Sequence, residues 1–260
     1  MKVDIHQALL KQIETNTSNI QSLSYPTRQG ATSEVVFLHT KQGNYVCKCS
    51  SLSKYRTWLL DEAKAMEELN ATVSLSIPTF LDFWEDTDNS YLLMTREPGI
   101  PLREAIIDAK TFEEKVNLIH SFGAKLNTLH ETSIPPKLQK QEYWIDRQLK
   151  KASYNLINYE VDGDQQLLDR LIEKKPKAIP QTLIHGDYTI DNVLVSDEQV
   201  QTFIDLSGVA YGDPRYDVAL AIRSFLYDKT LLHAFYAGYK LLKLSKEEFE
   251  YFDGGLYEFF

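Results

Sequence analysis

Only two cysteines occur in the 260 residues, Cys47 and Cys49. They stand two positions apart in a strand-like run, so both side chains leave the same face. A pair this close staples no domain, and two ligands alone make no zinc site; buried free thiols in a reducing compartment are expected. Long apolar runs are missing as well: nothing approaches the roughly 18 residues of a membrane span. The opening Met1-Lys2-Val3-Asp4 leads into polar sequence rather than an apolar secretion core, so a cytoplasmic location and no membrane partner are expected. Positive charge is in short supply, with 28 Lys and Arg against 37 Asp and Glu and a net charge of -9. That balance argues against nucleic acid and suits a cationic partner.

What remains is ordinary globular composition, 43% hydrophobic and 25% charged, in a chain long enough for one large domain or two lobes. Val3, Ile5, Ala8, Leu9 and Ile13 recur at helical spacing, which predicts a helix over residues 3–14. Residues 15–24 are polar and read as an irregular or extended connection. From Tyr25 the pattern is strand, turn, strand. Gly30-Ala31-Thr32-Ser33 is a small-residue turn, Glu34–His39 and Tyr45–Cys49 are strands, and Lys41–Asn44 turns between them. Such a turn can lay main-chain N–H groups over phosphates, but with a single glycine it is equally an ordinary hairpin.

Lys48 tips the balance. Period-two geometry puts it with Val46 on the face opposite Cys47, and a Lys on a covered face needs an anionic partner. Lys54–Leu69 reads as a helix whose inward side carries Trp58, Leu59, Ala63, Met66 and Leu69, with Glu62 on or beside it. A strand Lys paired with a helical Glu is how protein kinases fix their phosphate-binding Lys. Phe80–Trp84 and Tyr91–Met94 form a hairpin, and Thr95-Arg96-Glu97-Pro98-Gly99 is a polar, breaker-rich hinge. The expected organisation is a nucleotide-binding lobe over 1–97 and a larger lobe over 98–260.

That second lobe is predicted to be mainly helical, with helices over 102–109 and 112–130. A helical insert over 142–175 is split by Asn158–Asp164, and two terminal helices cover 230–243 and 246–259. His120 and His130 are taken as structural. Glu160, Asp162 and Asp164 make an anionic loop, either a solvated turn or a receptor for a cationic substrate.

The centre of the chain is 183–207. Leu183-Ile184 delivers His185-Gly186-Asp187, Asn192 follows five residues later, and the apolar run at Phe203-Ile204 ends in Asp205. Any one of these acids is well explained as a turn residue. Together they supply what phosphoryl transfer needs: one carboxylate to take a hydroxyl proton, and an Asn oxygen with a second carboxylate to hold Mg²⁺. Asp217, near the start of a helix at 216–224, reads as support for nearby loops.

The ordered set His185-Gly186-Asp187, Asn192, Ile204-Asp205-Leu206, Asp213-Pro214 and Tyr216-Asp217-Val218-Ala219 resembles the aminoglycoside phosphotransferase and choline kinase superfamily, in a layout most similar to its 3′-phosphotransferases. The likeness runs from Gly30 to Phe260. It implies an α+β, protein-kinase-like bilobal fold, with a small antiparallel lobe and a larger helical one. It also implies ATP, or GTP, as donor, Mg²⁺ as cofactor, a small hydroxyl-bearing acceptor, and a monomer or homodimer. Carried over, Asp187 matches the catalytic base, and Asn192 and Asp205 the Mg²⁺ ligands. Lys48 and Glu62 match the phosphate-gripping pair, Gly30, Thr32 and Ser33 the nucleotide loop, and Met94, Thr95 and Glu97 the adenine hinge. Val46 stands where adenine often stacks on an aromatic ring. Arg223, Glu258 and the Phe260 carboxylate match acceptor positions, while Gly208, Tyr227 and Tyr257 depart from them. The implied acceptor is an aminoglycoside, held by Glu160, Asp162, Asp164 and Glu258. The alternatives are choline or ethanolamine, a sugar, homoserine or a macrolide, or a nucleotide-binding protein without turnover.

Overall fold

The computed structural model describes residues 13–260. Most of the helix expected over 3–14 lies outside them, although residues 13–16 are helical. Chain contacts divide the molecule into two units. One runs up to Pro98 and takes in Thr202–Ser207; the other comprises Gly99–Gln201 and Gly208–Phe260.

The first unit is built on an antiparallel sheet of β1 (Ile20–Ser24), β2 (Glu34–Thr40), β3 (Asn44–Ser50), β4 (Phe80–Glu85) and β5 (Ser90–Thr95), in the order β1-β2-β3-β5-β4. β1 is polar and, among the described residues, pairs only with β2, so it borders the sheet, where one side of a strand needs little apolar cover. One face buries Val36, Leu38, Cys47, Cys49 and Leu93 against Ile13. Both thiols are free and buried there, and burial pushes them up in pKa, to about 11 for Cys49, so neither is a ready nucleophile. The long helix α1 (Ser53–Thr72) lies between β3 and β4 in the chain and buries Leu59, Glu62, Ala63, Met66 and Leu69 along one side. Residues 202–203 join this unit through a Phe203 N–H to Ser76 carbonyl bond of 3.0 Å and a hydroxyl contact of 2.9 Å between Ser76 and Thr202. That return of the chain was not visible in the sequence pattern.

The second unit begins with the two-residue strand β6 (Ile100–Pro101) and continues through α2 (Leu102–Asp108), α3 (Phe112–Glu131), α4 (Trp144–Asn158) and α5 (Gln165–Glu173). Then come β7 (Thr182–Ile184), β8 (Val193–Ser196), β9 (Gln199–Phe203), β10 (Ala210–Gly212), α6 (Pro214–Ile222), α7 (Lys229–Gly238) and α8 (Lys246–Phe252). β9 starts in this unit and ends in the other. Helix starts are set by local chemistry. Thr111 caps α3, Asp228 caps α7, and Ser245 forms a capping box with Glu248 at α8. The last two helices are shorter than the apolar pattern suggested. α7 stops at Gly238, and α8 at Phe252, ahead of Asp253-Gly254-Gly255. α3 and α7 touch backbone to backbone: a Cβ on Gly123 would lie 2.2 Å from the Phe235 carbonyl oxygen, and one on Gly238 would lie 2.1 Å from that of His120.

Candidate active site

In the first unit the site is built on β3. Lys48 is paired with Val35 on one side and Leu92 on the other, so its backbone is fixed in mid-sheet while Cys47 and Cys49 fill the core behind it. Its ammonium group reaches both oxygens of Glu62, at 2.7 and 2.9 Å, and Asp205 Oδ1 at 3.3 Å. Glu62 in turn accepts the Leu206 main-chain N–H at 3.2 Å. Asp205 has φ of 61°, a left-handed conformation that costs a non-glycine residue on the order of 1 kcal/mol. Burial works against the Lys48 charge, but Asp205 and Glu62 outweigh it and hold the ammonium well above the usual lysine range. Burial raises Glu62 as well, with Lys48 pulling it back and Asp205 pushing further up. The two shifts point opposite ways for the stability of the pair. The bidentate contact, with a main-chain N–H on the same carboxylate, is the geometry of an ionised group, so the pair is charged.

The turn at 30–33 is clamped at both ends. The Gln29 carboxamide bonds both main-chain groups of Val35, at 2.7 and 2.9 Å. Ser33 Oγ lies 2.7 Å from Ser50 Oγ, which donates to the Thr32 carbonyl at 2.9 Å. A side chain on Gly30 would meet only an ordinary 3.5 Å contact, so steric room does not demand this glycine. At the hinge, Met94 is buried, Thr95 donates its hydroxyl to Glu97 at 2.6 Å, and Arg96 N–H bonds the Asn44 carbonyl at 2.9 Å. Val46 lies between Phe37 and Met94 in the sheet.

In the second unit the stretch between β7 and β8 is a loop. Asn192 folds back over it, and its Nδ2 donates to Asp187 Oδ2 at 2.7 Å and to the Asp187 carbonyl at 2.9 Å. The spacing of five residues closes this ring, helped by Thr189 N–H to Asp187 carbonyl and Asn192 N–H to Thr189 carbonyl bonds. Outside the ring, Arg103 at the start of α2 grips Asp191 with two 2.6 Å bonds and donates its N–H to the Ile190 carbonyl at 2.9 Å. Inside, Tyr188 stacks on Phe122 at 4.4 Å and donates to its carbonyl. Asp217 is fully buried and accepts the N–H groups of His185, at 2.6 Å, and Gly186, at 2.8 Å. The support read for Asp217 is therefore a direct bond to the residues that precede Asp187.

The acidic residues nominated for an acceptor do not all gather. Glu258 lies within electrostatic reach of Asp162, Arg223 and Asp253: burial, Asp162 and Asp253 push its carboxyl up while Arg223 opposes them. Arg223 pairs with Asp253 at 2.9 Å and lies over the Tyr257 ring at 4.5 Å. Burial, then Asp187, raises the Tyr257 phenol, so this tyrosine is within electrostatic reach of Asp187. Asp164 is engaged as the N-cap of α5, accepting Leu167 N–H at 2.7 Å. Glu160 is exposed, and Tyr227 is 95% exposed. The chain end is sewn to the insert: Gly163 N–H bonds the Glu258 carbonyl, Asn155 bonds that of Phe259, and Lys151 lies over the Phe260 ring. Sequence reasoning did not single out Arg103, Asp191 or Asp253, whose partners lie 30 or more residues away in the chain.

A mid-strand Lys held by a helical Glu, a His-Gly-Asp loop closed by Asn five residues on, and a five-stranded antiparallel sheet define a kinase-like phosphotransferase. The chain matches the phosphotransferase enzyme family over residues 26–251, and it belongs to that family. Over 202 residues it is 23% identical to a probable aminoglycoside 3′-phosphotransferase of Lactococcus lactis subsp. lactis, covering 75% of this chain and 73% of that one. It is 30% identical over 141 residues to the homoserine kinase of Neisseria meningitidis serogroup B, covering 50% of this chain and 46% of that one. Its fold is shared with an aminoglycoside phosphotransferase of Streptomyces rimosus solved with ADP and streptomycin, at a TM-score of 0.71, 19% identity, and coverage of 96% and 97%.

Proposed function

We infer that this phosphotransferase moves the γ-phosphoryl group of ATP to a hydroxyl of a small cationic molecule, an aminoglycoside first of all. The observation that carries the reading is the Asn192–Asp187 bond of 2.7 Å. It fixes one carboxylate in the loop and spends the Asn192 amide N–H groups, leaving its carboxamide oxygen as a hard ligand. In this reading Asp187 accepts the acceptor's hydroxyl proton and aims its oxygen at the γ-phosphorus. The new P–O bond forms as the bond to the bridging oxygen of ADP breaks. Lys48, fixed by Glu62, neutralises phosphate charge, and the 30–33 turn covers the phosphates. Main-chain groups at 94–97 and the Val46 side chain receive the base, an arrangement that admits GTP as well.

Mg²⁺ suits the residues present. Asn192 and Asp205 are oxygen donors, and among the described residues no three His, Cys, Asp or Glu side chains gather as a metal cage. Nucleotide phosphates would complete the shell, as Mg²⁺ commonly requires. Bound there, the metal would offset the charge on the transferring group.

For the acceptor, the acids Asp162, Asp253 and Glu258 outnumber Arg223 and favour a cation. A second reading, a less cationic alcohol such as homoserine, draws on the Arg223–Asp253 pair at 2.9 Å, on Tyr257 where the resemblance expects an acid, and on the homoserine kinase relative. A coupled assay of ADP release against aminoglycosides, homoserine, amino alcohols, sugars and macrolides separates the two. Turnover with aminoglycosides supports the first; turnover with homoserine alone replaces it with the second. No acceptor-dependent ADP release from any of them contradicts both.

A further inference from the structure

The loop that presents Asp187 hangs from one buried carboxylate, and behind that carboxylate stand two groups to which phosphoryl transfer gives no task. His130, in α3, brings Nε2 to 3.2 Å from Asp217 Oδ2. Its Nδ1 lies 2.9 Å from the hydroxyl of Tyr239, the residue that ends α7. His130 is 4% exposed, and Asp217 and Tyr239 are 0% exposed, so water does not compete for these bonds.

The proton positions follow from the partners. An ionised Asp217 only accepts, so the nitrogen facing it carries the hydrogen. In a neutral imidazole the other nitrogen then accepts, and Tyr239 must donate to it. Burial, followed by the charge on Asp217, pushes the Tyr239 phenol up, so its hydroxyl keeps its proton. The hydroxyl thereby selects the imidazole tautomer that donates to Asp217. Asp217 is left with three donors: His185 N–H, Gly186 N–H and His130 Nε2–H.

Little else at this point yields. Gly186 has φ of 80°, and a Cβ there would lie 2.1 Å from the Gly208 carbonyl oxygen, so the main chain is packed tight immediately before Asp187. A turn of the Asp217 carboxylate passes directly into the main chain that carries the catalytic side chain. Placement matters at this scale, since a shift near 1 Å costs a positioned reaction about 100-fold.

We propose that His130 and Tyr239 are positioning residues for Asp187, acting through Asp217: the tyrosine hydroxyl locks the histidine tautomer, and the histidine locks the carboxylate that holds the His185 and Gly186 main chain. The proposal rests on Asp187 serving as the catalytic base, as inferred above. It makes the contact between α3 and α7 part of the catalytic apparatus rather than mere packing.

The test uses the full chain with three substitutions: Tyr239→Phe, His130→Leu and His130→Gln. Gln keeps an N–H donor for Asp217 and a carbonyl acceptor for Tyr239. With saturating nucleotide and acceptor, Tyr239→Phe should lower kcat on the order of tenfold and His130→Leu on the order of 100-fold. His130→Gln should recover most of that loss, with KM for the nucleotide unchanged in all three. Nitrogen NMR should show His130 as the Nε2–H tautomer in the parent and as a mixture in Tyr239→Phe, with faster amide exchange at His185 and Gly186. Folded variants that keep kcat within twofold overturn the proposal, as does a Gln variant no more active than Leu. A parent protein with no turnover fails the phosphoryl-transfer reading instead, and the tautomer and exchange measurements still decide the relay: an Nδ1–H parent, or unchanged exchange at His185 and Gly186, overturns it.

Discussion

Glu62 holds Lys48 with both carboxylate oxygens, at 2.7 and 2.9 Å, and the same carboxylate receives the Leu206 main-chain N–H at 3.2 Å. One helical acid thus anchors the strand lysine and the segment just after Asp205. Removing one partner of a buried pair leaves the other uncompensated, at a cost of about 3–5 kcal/mol. Glu62→Leu should lose stability of that order in a denaturant titration. Glu62→Gln should fold better but bind nucleotide about tenfold more weakly, the effect of one displaced charge contact. Unchanged nucleotide affinity in Glu62→Gln would remove Lys48 from the donor site.

Chelation should stop turnover. Asn192 and Asp205 are oxygen donors, and among the described residues no three His, Cys, Asp or Glu side chains gather as a metal cage, so the ion is expected to bind weakly without nucleotide and to wash out readily. EDTA should abolish ADP release and added Mg²⁺ should restore it. Full activity in excess EDTA would contradict the ligand assignment.

Gly186 has no room for a side chain. Its φ of 80° disfavours any other residue, and the 2.1 Å approach to the Gly208 carbonyl adds a clash with main chain. Gly186→Ala should cost about 3 kcal/mol, summing backbone strain and overpacking, and Gly30→Ala far less. Thermal melts of the two variants make the comparison; equal losses would mean that the loop relaxes freely.

The acidic end of the chain carries a pH signature. Glu258 is raised in the folded state by burial, Asp162 and Asp253, against Arg223. A carboxyl raised on folding favours the native state below its unfolded pKa and loses that contribution as pH rises through the folded one. Ionised Glu258 is therefore a cost at neutral pH. Glu258→Gln should melt slightly higher at pH 7, by less than about 1 kcal/mol for a group this open to water. The gain should fade as pH falls through the carboxylate range, while KM for a cationic acceptor should rise. A variant that melts lower at pH 7 would show that Glu258 is held by a favourable contact.

Which parts of this were legible in the sequence depends on how far each signal reaches. Lys48, with its neighbours Cys47 and Cys49, reads from strand alternation, and Glu62 from helical spacing, because both are periodic. Asp187 and Asn192 read from a spacing of five that closes on itself. Asp164 looked like one more acid in an anionic loop; that it caps α5 depends on where the helix starts, which sequence locates only to within a few residues. Residues 20–24, polar and expected to be irregular or extended, form a strand that among the described residues pairs on one side, with β2. His130 was read as structural; its link to Asp217 spans 87 residues and no local period reports it. Asp253 falls inside the helix expected over 246–259 and carries no local signal, yet it pairs with Arg223 from 30 positions away.

The most direct measurement is acceptor-dependent ADP release by the Asp187→Ala variant, alongside nucleotide binding to the same protein. The substitution should lower kcat by on the order of 100-fold or more, the share general-base catalysis typically supplies, and leave nucleotide affinity within about twofold of the parent. Near-parental turnover by folded Asp187→Ala would contradict a catalytic base at Asp187.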